Sequence, residues 1–495
     1  MGRATDYALL FVGHSFEYEV QAVAKIFVPG VRFALCHDAE GSEYPHRILT
    51  EITPDGRLRA EVTLRGRHAE CTSPAPVSNE KDAVEFALCT LLYEVLQEIT
   101  GYLPPWGMLT GIRPVRKVIQ LLEAGETPEE ACRKLQTRYR ISEEKMRLAL
   151  ETALVQQPIL PHSEREIGFY VSIPFCPTRC SYCSFVSHSM ATAYKLIPGY
   201  LEKLCEEIAV YGRMIREHGL TVQSVYIGGG TPTSITAEQL RMVMEAVAEY
   251  IDIGNAREYT VEAGRADTIT EEKLRVIKEM GATRISVNPQ TLQDSVLQAI
   301  GRRHTAQQAV EAFELARKIG FDDINMDLIA GLPTDTYEGF EDTLHRVMAL
   351  DPDSITVHTL TLKRAATLYH DRQDQSAEIA GIAKMAALSA EQLPKSGWRP
   401  YYLYRQKNTL GNLENVGYAK PGKENLYNIL IMDETQTILA AGCAASTKLV
   451  EKNGDITRVM NYKFPFEYID RFDLMMEKKC EIEKVLTRME RNQQW

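Results

Sequence analysis

The stretch Gly168-Phe-Tyr-Val-Ser-Ile-Pro-Phe-Cys-Pro-Thr-Arg-Cys-Ser-Tyr-Cys-Ser-Phe185 runs from an apolar segment into a loop with three cysteines. Cys176, Cys180 and Cys183 follow the spacing C-x3-C-x2-C. A cubane iron–sulfur cluster has four irons and normally takes four thiolates. Three local thiolates therefore predict a four-iron cluster with one iron left open to a ligand that is not protein. The alternatives are three separate buried cysteines or a structural zinc site. Zinc usually takes paired spacings such as C-x2-C twice, and the sequence has no second pair.

Composition excludes several classes of protein. The chain has 495 residues and a net charge of −11, with no long basic run, so a protein that tracks nucleic-acid phosphates is not expected. The short apolar run Ala8–Val12 is typical of a strand rather than a signal peptide, and no run approaches the ~20 apolar residues of a membrane span. Ten cysteines with a single tight cluster favour a reducing cytoplasm over a disulfide framework. We therefore expect a cytoplasmic protein.

The first 160 residues predict an accessory α+β domain without a catalytic constellation. Strand-like runs at Arg47–Ile52 and Leu58–Leu64 flank a Pro-Asp-Gly turn at 54–56, which is a hairpin signal. From Asn79 onward, apolar residues recur at helical spacing up to Gly101.

After Glu164 the pattern changes to alternating strands and helices, which implies parallel strands with helical crossovers. The predicted strands are Gly168–Ile173, Ser224–Ile227, Glu258–Val261, Arg284–Val287, Asp323–Leu328 and Ser354–Leu360. The predicted helices lie at about 195–217, 236–251, 270–280, 292–300, 306–319 and 336–350. We interpret 161–370 as a partial (β/α)6 TIM-like barrel of an α/β protein. Residues 371–495 form a small C-terminal extension, a candidate substrate cover, with strands expected near 426–440.

Chemistry in such barrels gathers at the carboxyl ends of the strands. The second strand ends in Gly228-Gly229-Gly230-Thr231-Pro-Thr233, where absent side chains let backbone approach a ligand closely. Such runs are also common in plain turns. The sequence lacks G-x-x-x-x-G-K, so a P-loop is excluded.

Polar residues follow at the ends of the next strands. Glu262 can accept from a ribose or an ammonium group, or form a salt bridge with Arg265. Gln290 both donates and accepts. Either Arg302 or Arg303 can pair with a carboxylate. Two further residues are candidates at this end of the barrel: Tyr182, which lies between two cysteines, and Asp327. Each of them also fits the pattern of an ordinary buried residue without a role in binding.

Taken together these residues resemble one branch of the radical S-adenosylmethionine (SAM) superfamily. That branch contains the oxygen-independent coproporphyrinogen III oxidases (dehydrogenases) and the heme chaperones. The Gram-positive-type coproporphyrinogen dehydrogenase subgroup is similar in the segments Thr110–Pro114, Val357–Leu360, Tyr401–Asn408, Gly411–Tyr418 and Asn461–Pro465.

The resemblance implies a radical SAM oxidoreductase of porphyrin biosynthesis. A reduced 4Fe-4S cluster would cleave SAM, and the 5′-deoxyadenosyl radical would convert two coproporphyrinogen III propionates to the vinyl groups of protoporphyrinogen IX. The metal ligands implied are Cys176, Cys180 and Cys183. The implied contacts to SAM are Tyr170 (also the candidate catalytic residue), Tyr182, Gly229, Gly230, Thr231, Glu262, Gln290, Arg302 and Asp327. Arg405 and Lys407 are candidates for the substrate carboxylates, or else solvated.

One departure from the family keeps a second hypothesis open. The oxidases carry a further cysteine two residues after the third ligand. This chain has Phe185 at that position. The heme chaperones also lack that cysteine. A heme-binding chaperone, with His188, His304 or His358 as axial ligand, is therefore the alternative, and another radical reaction on a tetrapyrrole is a third. The expected partners are a tetrapyrrole and an electron donor such as flavodoxin or ferredoxin, with the protein a monomer.

Overall fold

The computed structural model describes residues 6–37, 43–74, 80–161, 163–183, 185, 187–360, 376–406 and 413–492. The chain divides into two compact units. The first unit comprises Met1–Leu150 with Arg405–Leu413, and the second comprises Glu151–Tyr404 with Glu414–Trp495. No helix in the described ranges is long and apolar enough to cross a membrane.

The first unit is built on a five-stranded sheet in the order β2-β1-β3-β4-β5. Its strands are β1 (Tyr7–Val12), β2 (Ala34–His37), β3 (His46–Ile52), β4 (Leu58–Leu64) and β5 (Arg67–Thr72). Its helices are α1 (Glu17–Phe27), α2 (Lys81–Thr100), α3 (Pro114–Glu123), α4 (Pro128–Tyr139) and α5 (Glu143–Gln156), the last continuing into the second unit. Alternate residues of β4 are buried, and β3 and β4 pair antiparallel, which confirms the predicted hairpin.

The second unit contains the predicted alternation of strands and helices. Its elements up to residue 359 are β6 (Glu166–Ile173), β7 (Phe175–Cys176), β8 (His188–Ser189), α6 (Met190–Ala193), α7 (Ile197–Glu217), β9 (Thr221–Gly229), α8 (Ala237–Tyr250), β10 (Glu258–Gly264), α9 (Glu271–Glu279), β11 (Arg284–Val287), α10 (Asp294–Ala299), α11 (Ala306–Ile319), β12 (Ile324–Ala330), α12 (Tyr337–Ala349) and β13 (Ser354–Thr359). The strands β6, β9, β10, β11, β12 and β13 pair in this order, each parallel to the next. The predicted α/β fold with a partial barrel is confirmed.

Capping explains why the helices begin where the sequence predicts. Thr236 before α8 and Thr305 before α11 each accept from the third helical backbone N–H, and Gln239 and Gln308 bond back to the cap. These reciprocal bonds satisfy donors that a helix start otherwise leaves unpaired.

The C-terminal segment extends the same sheet at both edges. Its elements are α13 (Ser376–Lys395), β14 (Arg399–Arg405), β15 (Glu414–Ala419), α14 (Leu426–Asp433), β16 (Thr437–Ala441), β17 (Ser446–Val450), β18 (Ile456–Met460), α15 (Pro465–Asp470), α16 (Phe472–Glu477) and α17 (Lys479–Asn492). β15 pairs antiparallel with β13, whereas β16 pairs parallel with β6. The eleven strands run in the order β14-β15-β13-β12-β11-β10-β9-β6-β16-β17-β18.

The expectation of strands near 426–440 is wrong for its first half and right for Thr437–Ala441, which is β16. Residues Leu426–Asp433 form α14, which begins at Asn425, whose side chain accepts from the backbone N–H of Asn428. A short apolar run suits a buried helix as well as a strand, and here the cap decides between them.

Candidate active site

The cysteine loop leaves the carboxyl end of the first barrel strand. Cys176 ends β7, which pairs parallel with β8 so that Cys176 lies opposite Ser189. The backbone N–H of Cys183 donates to the carbonyl of Cys180 at 3.1 Å, which closes a tight turn between the second and third cysteines. Each of the three thiols is free. Burial raises the pKa of both Cys176 and Cys183.

The donor types of this loop are those of an iron–sulfur cluster. Across the described residues, no three His, Cys, Asp or Glu side chains surround one point where a metal ion could bind. A four-iron cluster binds each thiolate through a different iron and therefore needs separated sulfurs on one loop. One buried thiol, Cys180, and two partly buried thiols, Cys176 and Cys183, supply this donor set without disulfides. A bound cluster would favour their ionised form.

The glycine turn braces the cysteine loop. Gly230 N–H donates to Ile173 O and Thr231 N–H donates to Phe175 O, both at 2.8 Å. A Cβ on Gly230 would lie 2.7 Å from Phe175 O, so only glycine permits this approach. The Thr231 hydroxyl lies 3.5 Å from the Cys176 sulfur. The sequence predicts that the glycines let the backbone approach a ligand. In the structure, Gly230 lets the backbone approach the cysteine loop.

Burial separates the two candidate arginines. Arg302 is 6% exposed, whereas Arg303 is exposed. Arg302 donates from Nη1 to Asn288 O at 2.5 Å and from Nη2 to the Tyr182 hydroxyl at 3.1 Å. Its Nε has no hydrogen-bond partner among the described residues. Arg302 therefore lies against the cysteine loop with one donor left for a ligand.

A stack of three tyrosines lines the barrel interior. Tyr170 on β6 is opposite Tyr226 on β9, with ring centroids 6.1 Å apart, and Tyr427 of α14 stacks on Tyr226 at 4.4 Å. The Tyr226 hydroxyl donates to Glu262 Oε1 at 2.5 Å. Burial, opposed by this bond and reinforced by the charge of Asp327, raises the pKa of Glu262 to about 7. Glu262 therefore keeps its proton to a higher pH than an ordinary glutamate does.

Sequence reasoning missed two members of this stack. Tyr226 could have been found, because it is two positions before Gly228 and so shares its strand face. Tyr427 carries no local signal, since it reaches the barrel from a helix in the C-terminal segment.

Asp327 and Gln290 meet at the end of β12. Asn325 Nδ2 donates to Asp327 Oδ1 at 2.7 Å, and His358 Nε2 lies 3.9 Å from Asp327 Oδ2. Burial raises the pKa of Asp327, but His358 and Asn325 outweigh it and hold the pKa below its usual value. Gln290 has a φ of +68° and donates its backbone N–H to Asp327 O at 2.9 Å. Gln290 Oε1 accepts from no described residue.

The alternative of a Glu262–Arg265 salt bridge is wrong. The Arg265 guanidinium is bonded to Asp267 at 2.9 and 2.7 Å and also reaches the Cys180 sulfur at 3.7 Å. Sequence reasoning did not foresee the contact between Arg265 and a cluster cysteine.

The remaining candidates are dispersed. His358 lies beside Asp327, His304 is buried with its Nδ1 3.5 Å from Asp267, and the His188 ring packs 5.7 Å from that of Phe464. Phe185 is 70% exposed.

Arg405 is not solvated. It is 3% exposed and donates to the main-chain oxygens of Leu109 and Gly111. Lys407 lies outside the described residues.

Residues 170–347 match the Radical SAM superfamily. The oxygen-independent coproporphyrinogen-III oxidase-like protein HemZ of Bacillus subtilis (strain 168) is 38% identical over 480 residues, covering 93% of this chain and 94% of HemZ. The chain belongs to the coproporphyrinogen-III oxidase-like family of radical SAM proteins. The predicted resemblance is thus confirmed.

The chain is also similar to a heme chaperone and to a solved coproporphyrinogen III oxidase structure. The heme chaperone HemW of Bacillus subtilis (strain 168) is 29% identical over 268 residues, covering 54% of this chain and 67% of HemW. The structure of the coproporphyrinogen III oxidase HemN from Escherichia coli is 24% identical, with a TM-score of 0.51 and coverage of 65% of this chain and 72% of HemN, which supports the fold. The chain is a radical SAM enzyme, coproporphyrinogen dehydrogenase-like, whose cofactors are a 4Fe-4S cluster and SAM. Such an enzyme needs a reductant and a substrate.

Proposed function

We propose that this chain converts two propionate side chains of coproporphyrinogen III to vinyl groups without molecular oxygen, forming protoporphyrinogen IX. The observation that carries the proposal is the 38% identity with HemZ over 93% of the chain, which extends well beyond the barrel. When bound, the cluster and SAM supply hydrogen-atom abstraction from the substrate. Each propionate then loses one hydrogen atom, one carbon dioxide and one electron, the last to a one-electron acceptor.

In this proposal Cys176, Cys180 and Cys183 hold the cluster, and Arg302 and Gln290 hold SAM. The support is that Arg302 Nε and Gln290 Oε1 are both buried without a hydrogen-bond partner in the described part of the chain. Burying such atoms is costly unless a ligand satisfies them. A carboxylate would accept a hydrogen bond from the Arg302 guanidinium, and an ammonium or hydroxyl group would donate one to the Gln290 amide oxygen.

The other SAM contacts proposed are Tyr170, Tyr182, Gly229, Gly230, Thr231, Glu262 and Asp327. Tyr170 and Glu262 face the same interior, because Tyr226 contacts both. Glu262 would accept from a hydroxyl or ammonium group, and the tyrosine stack would exclude water from the reacting carbon.

The test is anaerobic incubation of the reconstituted, reduced protein with SAM and coproporphyrinogen III. We expect mass spectrometry to show loss of two carbon dioxide molecules per substrate. The Cys180→Ala variant is the matched control and should form no product. Methionine release without any vinyl product contradicts the proposal.

A second candidate is a heme chaperone on the same scaffold. It is favoured by Phe185, which takes the place of a fourth cysteine, and by the 29% identity with HemW. His358 is the best-placed axial ligand, since it is partly exposed and oriented toward Asp327. Stoichiometric heme binding that survives gel filtration, followed by transfer to an apo-hemoprotein, would support this candidate, and loss of heme binding in His358→Ala would identify the ligand.

The proposal also includes a reductant of the flavodoxin or ferredoxin type, a monomeric state and a cytoplasmic location. Ten free cysteines support the reducing compartment.

A further inference from the structure

Arg265 is buried at the end of β10 with its whole guanidinium engaged. It is 3% exposed. Nε and Nη2 donate to the two oxygens of Asp267 at 2.9 and 2.7 Å, which is the two-pronged geometry that holds a guanidinium most firmly. Nη1 donates to Thr178 Oγ1 at 2.8 Å and Thr178 O at 3.2 Å. The same Nη1 lies 3.7 Å from the Cys180 sulfur.

The surroundings of Arg265 fix its position relative to the cysteine loop. Thr178 belongs to that loop, and its hydroxyl donates to Gly301 O at 2.9 Å. His304 also approaches this carboxylate, with Nδ1 3.5 Å from Asp267 Oδ1. Burial pushes the pKa of Asp267 upward, but His304 and Arg265 outweigh it and keep the carboxyl ionised. A fixed carboxylate therefore holds a fixed guanidinium against one cysteine.

The three cysteines consequently have unequal surroundings. Cys180 is contacted by Arg265 and also interacts with the buried Arg302. Cys176 instead has the neutral hydroxyl of Thr231 beside its sulfur. Arg265 also exerts an electrostatic effect on Cys176, and Arg179 exerts one on Cys183. The close approach of the Arg265 guanidinium is to the sulfur of Cys180.

We propose that Arg265 is a positioning residue that sets the reduction potential of the cluster through Cys180. Reduction adds one negative charge to the cluster, and hydrogen bonds and positive charge at its sulfurs favour that state. A donor held by Asp267 needs no rearrangement when the electron arrives. Arg265 therefore makes the cluster easier to reduce. This inference rests on the proposed ligation of the cluster by the three cysteines.

The test is a redox titration of the cluster in the full-length protein, followed by electron paramagnetic resonance without SAM or substrate. In Arg265→Gln we expect the ratio of reduced to oxidised cluster at a fixed potential to fall about tenfold, a midpoint about 59 mV more negative for one electron. Arg265→Lys should shift less in the same direction, because it keeps the charge but lacks the planar fork. Arg303→Gln, which removes an exposed arginine nearby, should leave the midpoint unchanged.

Either Arg265 variant with a full cluster and the wild-type midpoint overturns the inference. Folded variants that hold no cluster also overturn it, because Arg265 would then assemble the loop rather than tune it. Failure of the proposed function looks different, since the wild-type cluster would titrate normally while no vinyl product formed. Failure of the proposed ligation would appear as a cluster that persists without the three cysteines.

Discussion

At the scale of single residues, Glu262 shows how the barrel interior changes a carboxyl group. It is partly buried, bonded to the Tyr226 hydroxyl and close to the second carboxylate of Asp327. Removal from water and the neighbouring charge both disfavour its ionised form. A ligand that brings a cation or hydroxyl groups would reverse that preference, so ligand binding and the ionisation of Glu262 should be coupled.

The ligand-free protein should therefore lose stability as the pH rises from about 4.5 to about 7. Because the pKa of Glu262 is raised from 4.5 to about 7 in the folded state, the folded state holds the proton more tightly, and stability falls between these pH values and is level above them. The loss is about 3 kcal/mol, at about 1.4 kcal/mol per pH unit. Glu262→Gln should abolish the contribution of this residue to the pH dependence of the unfolding free energy. Urea unfolding at about pH 5 and pH 8 measures that contribution. An unchanged difference between the two pH values would show that Glu262 does not titrate there.

The cysteine loop makes a second prediction at this scale. Cys176→Ala, Cys180→Ala and Cys183→Ala should each remove the visible absorbance of the cluster together with SAM cleavage, because each thiolate holds a different iron. Cys205→Ala, on α7, is the matched control and should retain both. Retention of the cluster in all three single variants would falsify the assignment of the ligands.

At the scale of elements, the end of β9 is a support for the cysteine loop. Its glycines allow hydrogen bonds from Gly230 and Thr231 to the backbone of β6 and β7. The strand thus couples the ligand-bearing loop to the barrel.

Gly230→Ala should disturb this support. The new Cβ would lie 2.7 Å from Phe175 O, so β7 must move, at a cost of roughly 1–3 kcal/mol in unfolding free energy. Iron content after reconstitution should fall as well. Gly381→Ala in α13 is the control, because its Cβ meets no atom within 4 Å, and it should leave both measurements unchanged or slightly improved. Full cluster content in Gly230→Ala would refute the supporting role.

At the scale of the whole molecule, one buried carboxylate ties the C-terminal segment into the second unit. Glu207 of α7 pairs with Lys479 of α17 at 2.5 Å. It also accepts from Gly442 N–H, Asn461 Nδ2 and the Tyr468 hydroxyl at 2.8, 2.9 and 2.6 Å. These contacts join the helix that follows the cysteine loop to elements near the end of the chain.

Lys479→Met should therefore destabilise the second unit by about 3–5 kcal/mol, because it leaves Glu207 buried without its counter-charge. Adding Glu207→Gln should recover part of that loss, since the uncompensated charge is then gone. Denaturant unfolding monitored by circular dichroism measures both. A single variant as stable as the wild type, or a double variant less stable than the single one, would contradict the ionic role of the pair.

The sequence by itself determined the barrel and the types of residue at its mouth. The six parallel strands, the capped helices and the cysteine loop follow from local patterns of apolar residues, turn formers and caps. Because parallel strands end on the same side, residues such as Gln290 and Asp327 could be expected to meet, and they do, through a hydrogen bond of 2.9 Å.

Only the tertiary structure decided which partners those residues take. Burial distinguished Arg302 from Arg303. Packing placed the Arg265 guanidinium in contact with Asp267 and Cys180 rather than with Glu262. The same holds for Tyr427, which reaches the barrel from α14, and for β15 and β16, which join opposite edges of the parallel strands. Spacing along the chain encodes periodicity, whereas the choice among distant partners depends on which groups become buried together.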